Sequence, residues 1–216
     1  WWKSCVYARD RLYLFGYRAG VMEKGAESVV KKTKYLGSSG VVYDGKVFYV
    51  VGDGGLYVFD GDLRLVKKVD AKGLRDVAIG SDGTVYVLGE RVLYVYEEGL
   101  KPVYKLSRDA LIGYYVVPHD DGIYVSSLTQ LVRLDRNFRE RAFTPIMSRS
   151  FAILGDYVVS AYDDVVATAY RDTLSVTNRR RIFGLSAGTS KMLVERHRAL
   201  APVYFGNETA VLALSV

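Results

Sequence analysis

The chain has 216 residues, half of them hydrophobic and a quarter charged, with only four Pro, a balance that supports a packed core and excludes a disordered chain. Cys5 is the single cysteine, which excludes an internal disulfide; no apolar run approaches the roughly 20 residues needed to cross a bilayer as a helix, and no basic-then-apolar leader opens the chain. The net charge of +6 suits nucleic acid or an acidic partner.

The sequence opens at Trp1 rather than Met, so residues upstream are expected. One Gln and three Asn occur, a depletion typical of heat-adapted proteins, and a thermophilic, archaeal source is expected. A cytoplasmic location is the expectation.

A strand-turn-strand unit returns from Asp10, Asp44, Asp82, Asp121, Asp156 and Arg198. Four strands are laid on each of the first five repeats. The first takes 4–8, 11–15, 20–24 and 28–35; the second 40–43, 46–51, 55–59 and 63–69. The third takes 75–79, 84–88, 92–96 and 101–106; the fourth 113–117, 122–126, 130–134 and 138–144. The fifth takes 150–154, 157–161, 165–170 and 174–182. The sixth has three strands, 191–195, 198–205 and 209–215. Asp44-Gly45, Asp60-Gly61, Asp82-Gly83 and Asp121-Gly122 fall between strands, where tight hairpins tolerate positive φ. Segments 23–36 and 189–200 contain good helix formers, and helices there are the alternative.

Strand-only repeats of this length mean propeller blades. Runs such as Phe48-Tyr49-Val50-Val51 are apolar on both faces, as expected where each sheet is covered by a neighbour on each side. The expected fold is all-β, a single β-propeller domain over residues 1–216. Six blades are expected, with five or seven as alternatives. The last blade is expected to be incomplete and closed by the N-terminus, with Trp1 and Trp2 lying beside Ala210-Val211-Leu212-Ala213.

The run from Asp44 to Val69, DGKVFYVVGDGGLYVFDGDLRLVKKV, resembles the repeat of pyrroloquinoline-quinone-type propellers. The segment from Asp82 to Leu106 is a second copy, so the resemblance is carried by residues 44–106. Members of that family often close each blade with a docking Trp, whereas Val69 and Leu106 occupy the equivalent places here. The similarity is therefore to the non-enzymatic, scaffolding branch, which implies no quinone cofactor.

Reactive chemistry lacks its parts. His119 and His197 are the only histidines and map to different repeats. His119-Asp120-Asp121 reads as a polar turn after Pro118 rather than a ligand cluster, and His197, in Glu195-Arg196-His197-Arg198, as a solvated hairpin. Cys5, in an apolar strand, reads as a buried inert thiol. Gly52-Asp53-Gly54-Gly55 reads as a hairpin turn, since no Gly-Lys-Ser/Thr follows. Asp60-Gly61-Asp62 is a turn without the distal ligands of a calcium loop. Arg179-Arg180-Arg181 reads as a solvated strand end. No catalytic, cofactor or metal residues are expected.

Charge separates by loop. The loops after the second and fourth strands carry Arg18, Arg75, Arg91, Arg108, Arg149 and Lys191, together with Asp53, Asp109, Asp163 and Asp164; the other hairpins carry Asp10, Asp44, Asp60, Asp62, Asp82, Glu97, Glu98, Asp120, Asp121, Asp135 and Asp172, with fewer bases. Asp also belongs in hairpins for backbone reasons. The expected function is a non-enzymatic scaffold that docks a protein with an acidic segment on the basic loops. The alternatives are nucleic-acid association through the same residues, and a propeller enzyme with its active site in a central channel.

Overall fold

The computed structural model describes residues 2–26, 28–29, 31–97, 100–127, 129–146, 150–183, 185–187, 192–205 and 208–215; within these, the side chains of residues 31–32, 101, 103–112, 185, 187, 193, 195, 202, 205 and 209 lie outside the description. No α-helix occurs among the described residues, so the helical alternatives at 23–36 and 189–200 are not taken up. The chain divides into two compact units, Trp1–Leu111 and Ile112–Val216.

Unit 1 begins with a sheet of β1 (Trp2–Ala8), β2 (Arg11–Gly16), β3 (Ala19–Glu23) and β4 (Lys31–Lys32), in that order. Its first hairpin turns at Arg9 and Asp10, with φ of 52° and 56°, the two-residue geometry that matches strand twist. The second sheet runs β5 (Gly40–Tyr43), β6 (Phe48–Gly52), β7 (Gly55–Phe59) and β8 (Leu65–Asp70). Gly55 sits at φ +140°, where a Cβ would collide with the Val69 carbonyl oxygen, so this turn demands glycine. Next come β9 (Leu74–Ile79), β10 (Val85–Glu97) and the first half of β11 (Lys101–His119).

Unit 2 takes the second half of β11, which pairs with β12 (Gly122–Ser127), followed by β13 (Leu131–Leu134) and β14 (Glu140–Thr144). A further sheet runs β15 (Ser150–Leu154), β16 (Tyr157–Tyr162), β17 (Val165–Tyr170) and β18 (Val176–Arg181). In the last sheet, β21 (Arg198–Phe205) lies centrally. It pairs along one side with β19 (Leu185–Ala187) and β20 (Leu193–Glu195), and along the other with β22 (Glu208–Ser215).

Burial grades across each sheet. The second strands β6, β12 and β16 are buried almost throughout, whereas the fourth strands β8 and β18 are exposed over nearly their whole length. This is why the second strands read as apolar on both faces: each is covered on both sides. In unit 1, Tyr13, Phe15 and Phe48 are fully buried together, with the Tyr13 and Phe48 rings 4.4 Å apart. In unit 2, Tyr124, Leu131, Phe151, Val158 and Leu174 form one core cluster, and Ala152, Val159, Ala199, Ala201 and Val203 belong to another.

Three expectations are corrected. The described strands form five sheets, not six, because one sheet has six strands in the order β14-β13-β12-β11-β10-β9. The segment from Ser107 to Ile112 carries no Gly, Pro or Asn to break it, so β11 runs through two predicted strands; β10 likewise spans two. Among the described strands, the last sheet takes residues 185–215 and has four strands rather than three, because it includes the unforeseen β19. Trp2 pairs opposite Gly16 in the first sheet, because the Arg9-Asp10 hairpin fixes its register; it is 42 % exposed, and Trp1 lies outside the described residues. Cys5 is exposed rather than buried, since β1 presents much of its length to solvent.

Candidate interaction face

One end of unit 1 is knit together by backbone hydrogen bonds between loops distant in sequence. The amides of Leu36 and Gly37 donate to the Tyr17 carbonyl, and that of Ser38 to the Gly16 carbonyl. The amide of Asp53 donates to the Leu36 carbonyl, and the Ser39 hydroxyl to the Leu74 carbonyl. The amide of Glu90 donates to the Gly73 carbonyl at 2.9 Å. The β2–β3 turn, the β4–β5 and β8–β9 links, the β6–β7 turn and the bend in β10 therefore share this end. The topology brings Arg18, Arg75 and Arg91 to it.

All three arginines are exposed. Arg18 and Arg75 make no ion pair with a described residue. Arg91 stands at φ +68°, at the point where β10 bends between the two strands read from the sequence. Arg149 and Lys191 lie outside the described residues, as does the side chain of Arg108.

Sequence reasoning missed the aromatic part of this end. Tyr17 and Tyr35 are 51 % and 60 % exposed with ring centres 5.9 Å apart, and the Lys3 ammonium lies 6.0 Å from the Tyr17 ring centre. The Tyr35 hydroxyl donates to Asp53 Oδ2 at 2.6 Å. That bond, with burial and the negative charge of Asp53, raises the Tyr35 phenol above its ordinary range. The acid most central to this end is thereby engaged, while two of the arginines are not. Lys68 sits 5.4 Å from the Tyr57 ring centre and pairs with Asp70 at 2.6 Å. Beside Tyr35, an apolar groove of about 290 Å³ is lined by Leu36, Tyr57, Phe59, Leu63 and Leu65. Tyr17 adjoins Arg18 in sequence, which was the available signal.

The acidic hairpins behave as backbone chemistry predicts. Asp44 Oδ1 accepts from the amides of Lys46 and Val47, Asp60 Oδ1 from those of Asp62 and Arg64, and Asp135 Oδ1 from those of Asn137 and Arg139. Arginines also partner two of these hairpins: Arg11 approaches Asp62 to 3.8 Å, and Arg141 pairs with Asp135 at 2.7 Å. Asp at these positions serves the turns, and much of its charge is locally balanced.

Asp121 is more than a solvated turn residue. His119 Nδ1 donates to its Oδ1 at 2.6 Å, and the Tyr124 hydroxyl lies 2.9 Å from Oδ2. Arg171 and Arg133 approach Oδ2 to 3.3 and 3.4 Å. Burial raises the Asp121 carboxyl, but the bonds from Tyr124 and His119 and the charge of Arg171 outweigh it and hold it below the usual carboxylate range. Burial and the neighbouring carboxylate push the Tyr124 phenol up strongly. The network links β12, β13 and the β17–β18 turn. Among the described residues no group of three or more His, Cys, Asp or Glu is placed to hold a metal.

Successive antiparallel sheets, with buried second strands and exposed fourth strands in two of them, are the building units of propellers, and comparison gives the fold. The chain is similar to the WD40 domain of Pan2 from Neurospora crassa, with a TM-score of 0.75, 11 % identity, and coverage of 99 % of this chain and 79 % of that one. At that identity the likeness establishes the fold, an all-β, WD40-like β-propeller. No protein-family model matches the sequence, and no curated protein matches it.

Proposed function

We propose that the chain is a single-domain, non-enzymatic propeller scaffold that docks a protein partner bearing an acidic segment, in keeping with the scaffolding branch of quinone-type repeats. The observation that carries this reading is the end of unit 1, where exposed Arg18, Arg75 and Arg91 stand with the exposed rings of Tyr17 and Tyr35. Aromatic and Arg side chains are the types that dominate protein interfaces, while Lys and Asp are depleted from their cores. Loops on a rigid scaffold suit such a role. Arg108, Arg149 and Lys191 are included in this reading as further basic residues that the sequence map assigns to the partner.

The experiment is affinity capture from a lysate of the source organism, comparing the parent with Arg18→Glu/Arg75→Glu/Arg91→Glu. These surface changes leave folding nearly intact, at about 0.5 kcal/mol or less each. The expected result is a defined protein captured by the parent and lost from the variant. Identical captures overturn the reading. Capture of nucleic acid with a steep salt dependence moves it to nucleic-acid association through the same arginines.

A further inference from the structure

The docking end of unit 1 runs on into the apolar groove beside Tyr35, and the walls of that groove belong to the packed core. Leu36, Phe59 and Leu63 are 3 %, 5 % and 5 % exposed and sit in one core cluster, with Tyr57 packed against it. Leu63 stands at φ +56°, and Asp60 Oδ1 accepts from the amides on either side of it, those of Asp62 and Arg64. A leucine stays in the left-handed region only where its surroundings fix it. The groove is therefore formed before any ligand arrives.

Its chemistry calls for an apolar occupant. The Thr33 hydroxyl accepts from the Ala19 amide and donates to the Lys34 carbonyl, and the Tyr35 hydroxyl donates to Asp53, so both are engaged. Tyr57 and Phe59 stack with ring centres 6.2 Å apart. Tyr35 and Leu65 line the groove with much of their surface in water. At about 290 Å³ it lies near the lower end of ligand pockets, roughly 300 Å³. Its surroundings are cationic. Lys34 lines the groove, and Lys3 lies over the Tyr17 ring next to Tyr35; both are exposed and make no ion pair with a described residue. The acids beside it are engaged, Asp53 by Tyr35 and Asp70 by Lys68. An occupant that brings carboxylates next to its apolar side chain is matched here, and a basic one is repelled.

Given the docking of an acidic segment, on which this inference rests, we propose that the groove seats a large apolar side chain of that same segment, a Phe or Leu flanked by acids. Burying one such side chain is worth about tenfold or more in affinity. The probes are three acetylated octapeptides: Phe-Leu between two runs of three Glu, Ser-Ser between the same runs, and Phe-Leu between two runs of three Lys. Each is titrated by fluorescence anisotropy onto residues 1–216 and onto the full natural chain, with methyl NMR followed at Leu36, Leu63 and Leu65. The expected result is that the Glu-flanked Phe-Leu peptide binds at least tenfold tighter than either of the others and shifts those methyls. Leu65→Gln, an exposed change that leaves the fold in place, is expected to cut the preference for Phe-Leu over Ser-Ser at least threefold. Equal binding of the two Glu-flanked peptides overturns the proposal and leaves acidic docking standing. Equal binding of the Glu-flanked and Lys-flanked Phe-Leu peptides, with the methyl shifts intact, supports the groove and overturns acidic docking. Overhauser contacts to the Leu36 and Leu63 methyls in the protein alone, from any other segment of the chain, residues 27 and 30–32 included, show that the chain fills the groove itself and overturn the proposal. So does binding to residues 1–216 that the full natural chain lacks, or a shift of the same methyls with protein concentration alone, which marks a second copy as the occupant.

Discussion

Asp121 shows how much of a site hides in residues far apart in sequence. Its carboxylate is met by His119 and Tyr124 from its own hairpin, and by Arg133 and Arg171 from further along the chain. The sequence showed a polar turn after Pro118, and nothing in the local spacing announced the two arginines. Hydrogen bonds to charged groups contribute about 1.5–3 kcal/mol, and removing the carboxylate takes the charged partner from Arg133 and one of two from Arg171, leaving their bonds to the backbone carbonyls of Asp172, Asp121 and Gly155. Asp121→Ala should therefore lower stability at neutral pH by about 2 kcal/mol in urea unfolding; a loss below about 0.5 kcal/mol, the range of an ordinary surface change, would contradict the network. The sign with pH follows from the lowered Asp121 value. Its contribution is fully present above the unfolded carboxyl range near pH ~4 and is lost as pH falls through the folded value. The gap between parent and variant should narrow on acidification.

At the scale of strands and turns, the turns were the legible part. Asp-Gly pairs announced the hairpins, and the Asp carboxylates do bond the amides two to four residues on. Strand content followed because covered strands need apolar residues on both faces. The continuity of β11 was not legible, because the absence of a breaker between Ser107 and Ile112 does not by itself say that two strands join. Nor was the exposure of β1, which depends on what covers it rather than on its own apolar residues. The bend in β10 yields a prediction of its own. At φ +68°, Arg91 occupies a region that glycine adopts without steric cost. Arg91→Gly should leave the melting transition nearly unchanged, with stability within about 1 kcal/mol of the parent, yet weaken partner capture. A large drop in stability would show that the Arg91 side chain holds the fold rather than faces a partner.

Over the molecule, the sequence displayed the propeller through its repeats and hinted at its polarity through its charges. The loop map brought Arg18, Arg75 and Arg91 to one end of unit 1, but it left out the arginines beside the acidic hairpins, Arg11 near Asp62 and Arg141 paired with Asp135. It also missed the rings of Tyr17 and Tyr35, since aromatic residues in strand-rich chains are read first as core. What distinguishes this end is exposed arginine beside exposed aromatic surface, and that combination carries the proposal of protein docking. The most direct measurement is a charge-swap titration with the captured partner. Arg18→Glu/Arg75→Glu should weaken binding of its acidic segment at least tenfold by calorimetry, and reversing the segment's acids to Lys should restore affinity to the variant and not to the parent. Unchanged affinity in the variant, or a loss that no charge reversal in the partner restores, would contradict the account.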